Sequence, residues 1–432
     1  NLRKEHGNEG PDLVGVTELT SPYYMVPPSG NTVDRPQNPQ PGTLRFNTDI
    51  GSLEYFKGDT IGWESIDRVN PNLGGGGASN AGTGTRGLFG LGYVSPSGSD
   101  KIHYITIPTL GNAEDFGDTS LSTKNFGCAS SITRGIHVLG ANINGPAEVN
   151  IIDYVTIAQK GVAQDFGDAT TSRRQRAGVS NGTRACFGGG YREGSSPHLV
   201  DIIDYITIAQ TGNAVDFGNL SNASRVTASV SSSTRGVFGL AHPGTGNILE
   251  YITITTTGNT TDFGDRTVAT DFPTGTSNST RGIFAGGALA GDGANNVIDY
   301  ITIATTGNAT DFGDRTAAAD YPTATSNSTR GVFAGGDLSG DSANNVIDYI
   351  TISTLGNASD FGDLLSRRTR FVGATASPTR AVFAGGNSPS TDDVMQYVQI
   401  LSKGNSIDFG DLTVSASFGA TGGTISNGHG GL

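Results

Sequence analysis

The sequence predicts an all-β chain assembled from seven similar units of short strands, and three observations carry that expectation. Asp-Phe-Gly-Asp, or a one-residue variant, begins at Asp115, Asp165, Asp216, Asp262, Asp311, Asp360 and Asp408, in steps of 50, 51, 46, 49, 49 and 48 residues. Thr-Arg-Gly or Thr-Arg-Ala keeps the same beat at Arg86, Arg134, Arg184, Arg235, Arg281, Arg330 and Arg380. Between the two motifs lie short apolar runs separated by Gly, Asn and Ser, the punctuation of strands rather than helices. A period near fifty residues belongs to solenoids and propellers.

Residues 325–363 give the clearest unit. Thr325-Ser326-Asn327-Ser328 reads as a short extended segment, and Thr329-Arg330-Gly331 as a tight turn in which Gly supplies positive φ. Val332-Phe333-Ala334-Gly335-Gly336 reads as a buried strand ended by a Gly pair, followed by a polar loop from Asp337 to Asn345. Val346 to Ile352 alternates as a strand, Thr354-Leu355-Gly356-Asn357 turns, and Ala358 to Asp363 makes the fourth strand. Four strands in about fifty residues make one propeller blade, so the expected fold is a seven-bladed β-propeller over residues 85–432.

The other copies keep the same chemistry. The third residue after each Arg is Phe89, Phe187, Phe238, Phe284, Phe333 or Phe383, with His137 in the second copy. The third strand carries Tyr104, Tyr154, Tyr205, Tyr251, Tyr300, Tyr349 and Tyr397; the fourth carries Phe116, Phe166, Phe217, Phe263, Phe312, Phe361 and Phe409. Rings at fixed places in every unit are read as packing between blades rather than as sugar-stacking platforms. The unit resembles the kelch repeat, in which a Gly pair is followed by a spaced Tyr and a later aromatic; here Gly335-Gly336, Tyr349 and Phe361 take those places. Phe stands where kelch blades usually have Trp, and the first, second and fourth units lack the full Gly pair. The resemblance implies a fold and no activity.

Ring closure is expected from Ser417-Phe418-Gly419-Ala420-Thr421, which imitates Phe371-Val372-Gly373-Ala374-Thr375 and would complete the first blade. Gly75 to Gly84 is the alternative donor. The Thr-Arg-Gly and Gly-Asn turns share one end of the sheets, where each Arg could pair with a neighbouring Asp of Asp-Phe-Gly-Asp as a repeated strut. The opposite end carries loops that vary between units, long at Tyr191 to Val200 and short at Ala241 to Gly246. Variable loops on a rigid scaffold are where recognition sits. The candidate recognition residues are Tyr191, Arg192, Glu193, His198, His242, Asp337 and Asp341.

Gly makes up 65 of 432 residues, charged residues 16%, and the net charge is −13. An acidic chain with few clustered cations argues against a nucleic-acid binder. The two basic clusters, Arg173-Arg174-Gln175-Arg176 and Arg367-Arg368-Thr369-Arg370, are read as solvated loop residues. Cys128 and Cys186 fall at different places in their units, which gives no disulfide framework. No run is apolar enough for a membrane helix. His6, His103, His137, His198, His242 and His429 show no metal-ligand spacing, so no metal, cofactor or catalytic residue is assigned. Paired carboxylates of the kind glycoside hydrolysis uses remain an alternative with no pair singled out.

Residues 1–70 do not repeat, and 71–84 form a Gly-rich linker. Arg35-Pro36 and Pro41-Gly42 lead into Thr43-Leu44-Arg45-Phe46-Asn47-Thr48-Asp49, which pairs with Leu53-Glu54-Tyr55-Phe56 as a hairpin closed by Asp59 to Glu64 around Trp63. This segment resembles a small attachment module of bacteriophage fibre and virion proteins. With the Asp-Phe-Gly-Asp units and the Ser-Asn-Gly-His-Gly-Gly tail, the whole layout resembles structural proteins of marine cyanophages. The resemblance implies a non-enzymatic virion protein, a fibre, tail or capsid-surface component on the particle. Residues 1–70 would contact other virion proteins and form homo-oligomers, with a trimer as one option. The propeller would bind a host-surface glycan or protein, with no nucleic acid and no membrane insertion. A purely architectural decoration protein is the alternative, favoured by the near-identity of 277–303 and 326–352. A glycan-active propeller enzyme is the third reading.

Overall fold

Four strands in repeat five show how each unit folds. Thr274–Ser277, Arg281–Ala285, Val297–Thr302 and Thr310–Asp314 pair antiparallel in chain order. The structure, a computed structural model, describes residues 27–49, 52–58, 62–65, 86–90, 93–94, 98–142, 148–194, 196–241, 246–290, 293–339, 342–368, 370, 372–387, 390–418 and 424–426. The chain divides into two compact units, Asn1–Val69 and Asn70–Leu432. Among the described residues there is no α-helix, and none long and apolar enough to cross a membrane.

The larger unit is a series of antiparallel sheets, most of them four-stranded. Repeat six departs from the sequence reading. Its third strand is Ser342–Thr351, and Asp337–Leu338 pairs back on it, so much of the expected polar loop is sheet. Both faces of each sheet are covered. The second strand of repeat five, Arg281–Ala285, is buried from its second residue to its last, which is why these strands read as apolar runs rather than as alternation. Seven hydrophobic clusters among the described residues each join two repeats. Ile136, Val138 and Phe166 of repeat two pack with Phe187, Ile206 and Ile208 of repeat three. Phe89, Ile105 and Ile107 of repeat one pack with Val382, Phe409 and Phe418 of repeat seven. The Phe of each fourth strand and of six second strands is at most 3% exposed, and His137 in the remaining one is fully buried, as expected of packing rings.

The strand that completes the first sheet is not the one expected. Thr424–Ser426 pairs antiparallel with Arg86–Gly90, Ile425 opposite Leu88. Phe418 is instead a buried plug against Phe89, ring centroids 5.6 Å apart, while 419–423 lie outside the described residues. The reason is register. Gly373 opposes Ala384 and Ala374 opposes Phe383 in repeat seven, and Thr424 opposes Phe89 in repeat one. Thr424 is therefore the counterpart of Ala374. The sequence carries this, since Ile425-Ser426-Asn427-Gly428 copies Val179-Ser180-Asn181-Gly182. The alternative donor, Gly75 to Gly84, and the linker at 71–84 lie outside the described residues.

The second Gly-bearing motif has a steric cause. Gly313 of Asp-Phe-Gly-Asp sits at φ +139°, and a Cβ there would lie 2.6 Å from Gly356 C of the next repeat. Gly356 donates its N–H to Phe312 O at 2.9 Å. Backbone meets backbone at that point, and only a residue without Cβ fits both the dihedral and the approach.

In the smaller unit Ser29–Gly30 pairs parallel with Leu44–Asn47, followed antiparallel by Ser52–Phe56 and Trp63–Ser65. The hairpin matches the sequence reading; the parallel strand adds to it. Glu54 is fully buried between Arg35, 2.6 Å away, and Arg45, 3.4 Å away, and both guanidiniums lie over the Trp63 ring. The Arg35 hydrogen bond holds the Glu54 carboxyl below its ordinary pKa. The Arg-Pro, Arg-Phe-Asn, Leu-Glu and Trp elements of this segment thus converge on one ion-pair cluster.

Candidate functional site

The two ends of the sheets in the larger unit differ in what they do with their charges. At the end carrying the Thr-Arg turns, the Arg does not pair with an Asp of Asp-Phe-Gly-Asp, contrary to expectation. Each guanidinium lies over the Tyr of its own repeat, 4.1 Å from the ring centroid for Arg235 and Tyr251 and 4.9 Å for Arg86 and Tyr104. Its Nη1 donates to a carbonyl in the next repeat, as Arg86 to Ile157 O at 2.8 Å and Arg281 to Ile352 O at 2.7 Å. Arg380 of repeat seven donates to Ile107 O of repeat one at 2.7 Å. The Asp spends itself locally, Asp311 Oδ1 accepting the Gly313 N–H at 3.1 Å. The strut reading holds with a different acceptor, because a carbonyl at a strand end needs a donor whether or not a carboxylate is near.

A second sevenfold feature went unread in the sequence. The residue before each third-strand Tyr is His103, Asp153, Asp204, Glu250, Asp299, Asp348 or Gln396, and all are at most 1% exposed. Each bonds the residue two past the previous Asp-Phe-Gly-Asp, as Asp153 with Ser120 N at 2.7 Å, Asp348 with Thr316 N at 2.9 Å and Gln396 with Leu365 N at 2.6 Å. His103 of repeat one and Thr413 of repeat seven make the same link. Burial pushes the Asp153 and Asp299 carboxyls above their usual range and the His103 imidazole down to about 4. The signal was available as a polar residue at one place in every third strand.

Three buried arginines contradict the solvated-loop reading of the basic clusters at their own positions, while Arg367 is exposed as that reading expects. Arg173 and Arg176 are fully buried and Arg368 is 2% exposed. Arg173 pairs with Asp204 at 2.8 Å and donates Nε to Gly189 O at 2.8 Å. Arg368 pairs with Asp392. These cations brace the segment between repeats instead of facing water.

The end opposite the struts is where the repeats diverge. First strands of neighbouring repeats lie side by side, joined by hydroxyls such as Ser229 Oγ to Gly178 O at 3.0 Å and Ser326 Oγ to Ser277 O at 3.1 Å. The residues just before those strands gather accordingly: Arg174, Arg225, Asp271-Phe272, Asp320-Tyr321 and Arg370. Phe272 and Tyr321 stack with centroids 4.4 Å apart and an interplanar angle of 23°. Arg370 lies over Tyr321 at 5.0 Å, and Arg174 and Arg225 each lie 5.0 Å from the Tyr191 ring. The first strands Arg225–Ser231 and Thr274–Ser277 are neighbours, which places Arg225 on the same end of the sheets as the Phe272–Tyr321 pair. Burial, opposed by the Tyr321 N–H and Arg370, pushes the Asp320 carboxyl up to about 7.

The structure brings four of the seven candidate residues together. Tyr191 stacks on His198 at 5.5 Å, His198 Nδ1 donates to Arg192 O at 3.0 Å, and Glu193 pairs with Arg174 at 3.0 Å. Asp337 holds the counterpart position in repeat six, bridged to Asp320 as Tyr191 is to Arg174. It is 3% exposed and engaged by Arg370, so it orients that guanidinium rather than facing outward. His242 and Asp341 lie outside the described residues. Phe272 and Tyr321 were missed, although Asp271-Phe272-Pro273 and Asp320-Tyr321-Pro322 repeat in the sequence. Among the described residues no His, Cys, Asp and Glu group is arranged to hold a metal ion.

The smaller unit offers a second surface. The face opposite the Glu54 cluster carries Leu44, 37% exposed, with half-buried Phe46, Leu53 and Tyr55. Comparison with known proteins adds no name: no family model matches the chain, and no curated protein matches it.

Proposed function

We propose that the larger unit is a closed seven-bladed β-propeller and that the protein is a bacteriophage virion component whose propeller attaches to the host surface. Support for the ring comes from repeat seven, which meets repeat one with the Gly–Phe and Arg bonds that every other pair makes and the bond to an Asn side chain that all but repeats one and two make. Gly111 N donates to Phe409 O at 2.8 Å, Asp411 N to Asn112 Oδ1 at 3.1 Å, and Arg380 reaches Ile107. The kelch-like reading rests on the Gly pair and the Tyr–Phe pairs, Tyr349 and Phe361 lying edge-to-face at 5.6 Å. The particle assignment rests on the resemblance of residues 1–70 to virion attachment modules. The Leu44, Phe46, Leu53 and Tyr55 face is the surface proposed to meet other virion proteins or further copies of the chain.

One observation carries the attachment reading: repeat-specific Arg and aromatic side chains converge at one end of the sheets, while the other end repeats the same struts seven times. A surface built for recognition is where repeats diverge on a common scaffold. The reading is non-catalytic, and incubation with host envelope polysaccharide followed by a reducing-end assay tests that part. The main test is saturable binding of the purified chain to intact host cells. Replacing 191–200 by the short 241–246 loop should abolish it. Absence of saturable binding to any host refutes attachment and favours an architectural role, for which the near-identity of 277–303 and 326–352 speaks.

A further inference from the structure

Phe272 and Tyr321 occupy a backbone conformation that bulky side chains avoid. Both sit at φ +49°, in the left-handed region. The counterparts in repeats two and three, Asn125 and Gln175, sit at φ +55°. The turn therefore requires the dihedral, and Asn satisfies it more readily than an aromatic does. Nothing in the sheet demands two rings there, since Asn125 and Gln175 serve the same turn. Strained bulky residues of this kind gather at ligand clamps.

Charges of both signs surround the rings, and the guanidiniums differ in how they are matched. Arg174 is matched by Glu148 and Glu193, and Arg370 by Asp337. Arg225 has no carboxylate partner among the described residues, and its Nε is buried without a hydrogen-bond acceptor. Arg192 Nε is in the same state. At the surface of this cluster such a donor is open to water or to a ligand, and a planar fork is suited to a carboxylate.

We propose that this cluster is a binding site for an acidic saccharide, its carboxylate on Arg225 and its sugar ring against the Phe272–Tyr321 edge. Asp271 and Asp320, flanking the rings, accept or share protons with sugar hydroxyls. The inference rests on the reading that this end of the sheets is the ligand face, not on which particle carries the protein. Asp320 adds a pH dependence. It faces Asp271, Asp337, Arg370 and Tyr321, and with its carboxyl titrating at about 7 it is neutral below that pH and repels an anion above it. Affinity for an acidic sugar should rise as pH falls from 8 to 6.

The test uses the full chain against a panel of uronate, sialate and pyruvylated oligosaccharides and their neutral counterparts, by calorimetry and glycan array. Binding to acidic members and a tenfold or greater loss in Arg225→Gln are expected. Phe272→Asn separates function from folding: its melting temperature should rise, because Asn suits the dihedral, while binding falls. Equal binding of acidic and neutral sugars, no binding to any acidic member, or unchanged affinity in both variants overturns the inference. Host-cell binding that persists in Arg225→Gln would leave attachment standing and overturn this site. Loss of glycan and cell binding together in that variant supports both.

Discussion

Gly313 and Gly356 make a matched pair for testing how the repeats are held together. Their φ values, +139° and +140°, are nearly the same and lie in a range that only glycine adopts readily, so an alanine at either suffers backbone strain of about 1–2 kcal/mol. Their surroundings differ. A Cβ on Gly356 meets nothing within 4 Å, whereas a Cβ on Gly313 would lie 2.6 Å from Gly356 C and 2.7 Å from Asn357 N. Those are backbone atoms of the next repeat and cannot swing aside. Relief requires opening the joint and lengthening the Gly356 N–H to Phe312 O bond, a further ~2–3 kcal/mol. Gly313→Ala should therefore cost about 3–5 kcal/mol and Gly356→Ala about 1–2. With ~2.1 cal/mol/K of unfolding entropy per residue, a unit of this length loses roughly 1.3 °C in Tm per kcal/mol. The expected drops are about 4–6 °C and 1–3 °C. Calorimetry is the assay of choice, because the single tryptophan, Trp63, lies in the smaller unit and reports on the wrong body. Equal shifts for the two variants would refute the argument that backbone contact between repeats fixes the glycine.

His137 stands where every other repeat has Phe. It is fully buried, its imidazole is pushed down to about 4 by desolvation, and its Nε2 has no partner. Its folded pKa lies below the unfolded value, so it contributes a loss of stability as pH falls from about 6.5 toward 4, up to ~3 kcal/mol. His137→Phe should raise Tm at pH 7 by removing an unsatisfied nitrogen and should flatten that acid slope in a Tm-versus-pH series; an unchanged slope would count against it. The part of the slope due to His103 should survive. Ending the chain at Phe418 should remove one of the two strand partners of Arg86–Gly90, lower Tm by more than ~5 °C and cause self-association in light scattering. A monomer of unchanged Tm would show that the pairing is dispensable.

Much of the sheet order was readable because strand, turn and Gly pair recur at fixed spacing. The buried rings followed from the same periodicity. What the sequence hid were facts of register and of what lies across a joint. Arg281 looks like a partner for a carboxylate, and only the packed structure reveals the Ile352 carbonyl as nearer. The Asp299 and Asp348 positions went unread because a carboxylate in an alternating strand carries no mark of burial, yet both are fully buried where neighbouring repeats meet. Arg173 and Arg176 were misread for the same reason: a basic run in a linker looks solvated until a second sheet closes over it. At the candidate site, Tyr191 and His198 could be chosen from loop length alone. Phe272 and Tyr321 could not, because their significance lies in a dihedral angle.

The pairing of Thr424–Ser426 with Arg86–Gly90 has a consequence for biosynthesis. A ribosome delivers ~5–20 residues per second, so the first sheet waits tens of seconds with an open edge before its last strand exists. During that interval Leu88 and Phe89, fully buried in the finished protein, border a strand free to capture any other nascent chain. Repeats five and six compound the hazard, because near-identical strands from neighbouring chains are equally good partners. Any product interrupted before residue 424 keeps its edge open for good and is marked for aggregation or degradation. The pairing of Thr424–Ser426 with Arg86–Gly90 thus makes the first sheet wait on the translation of a segment more than three hundred residues away.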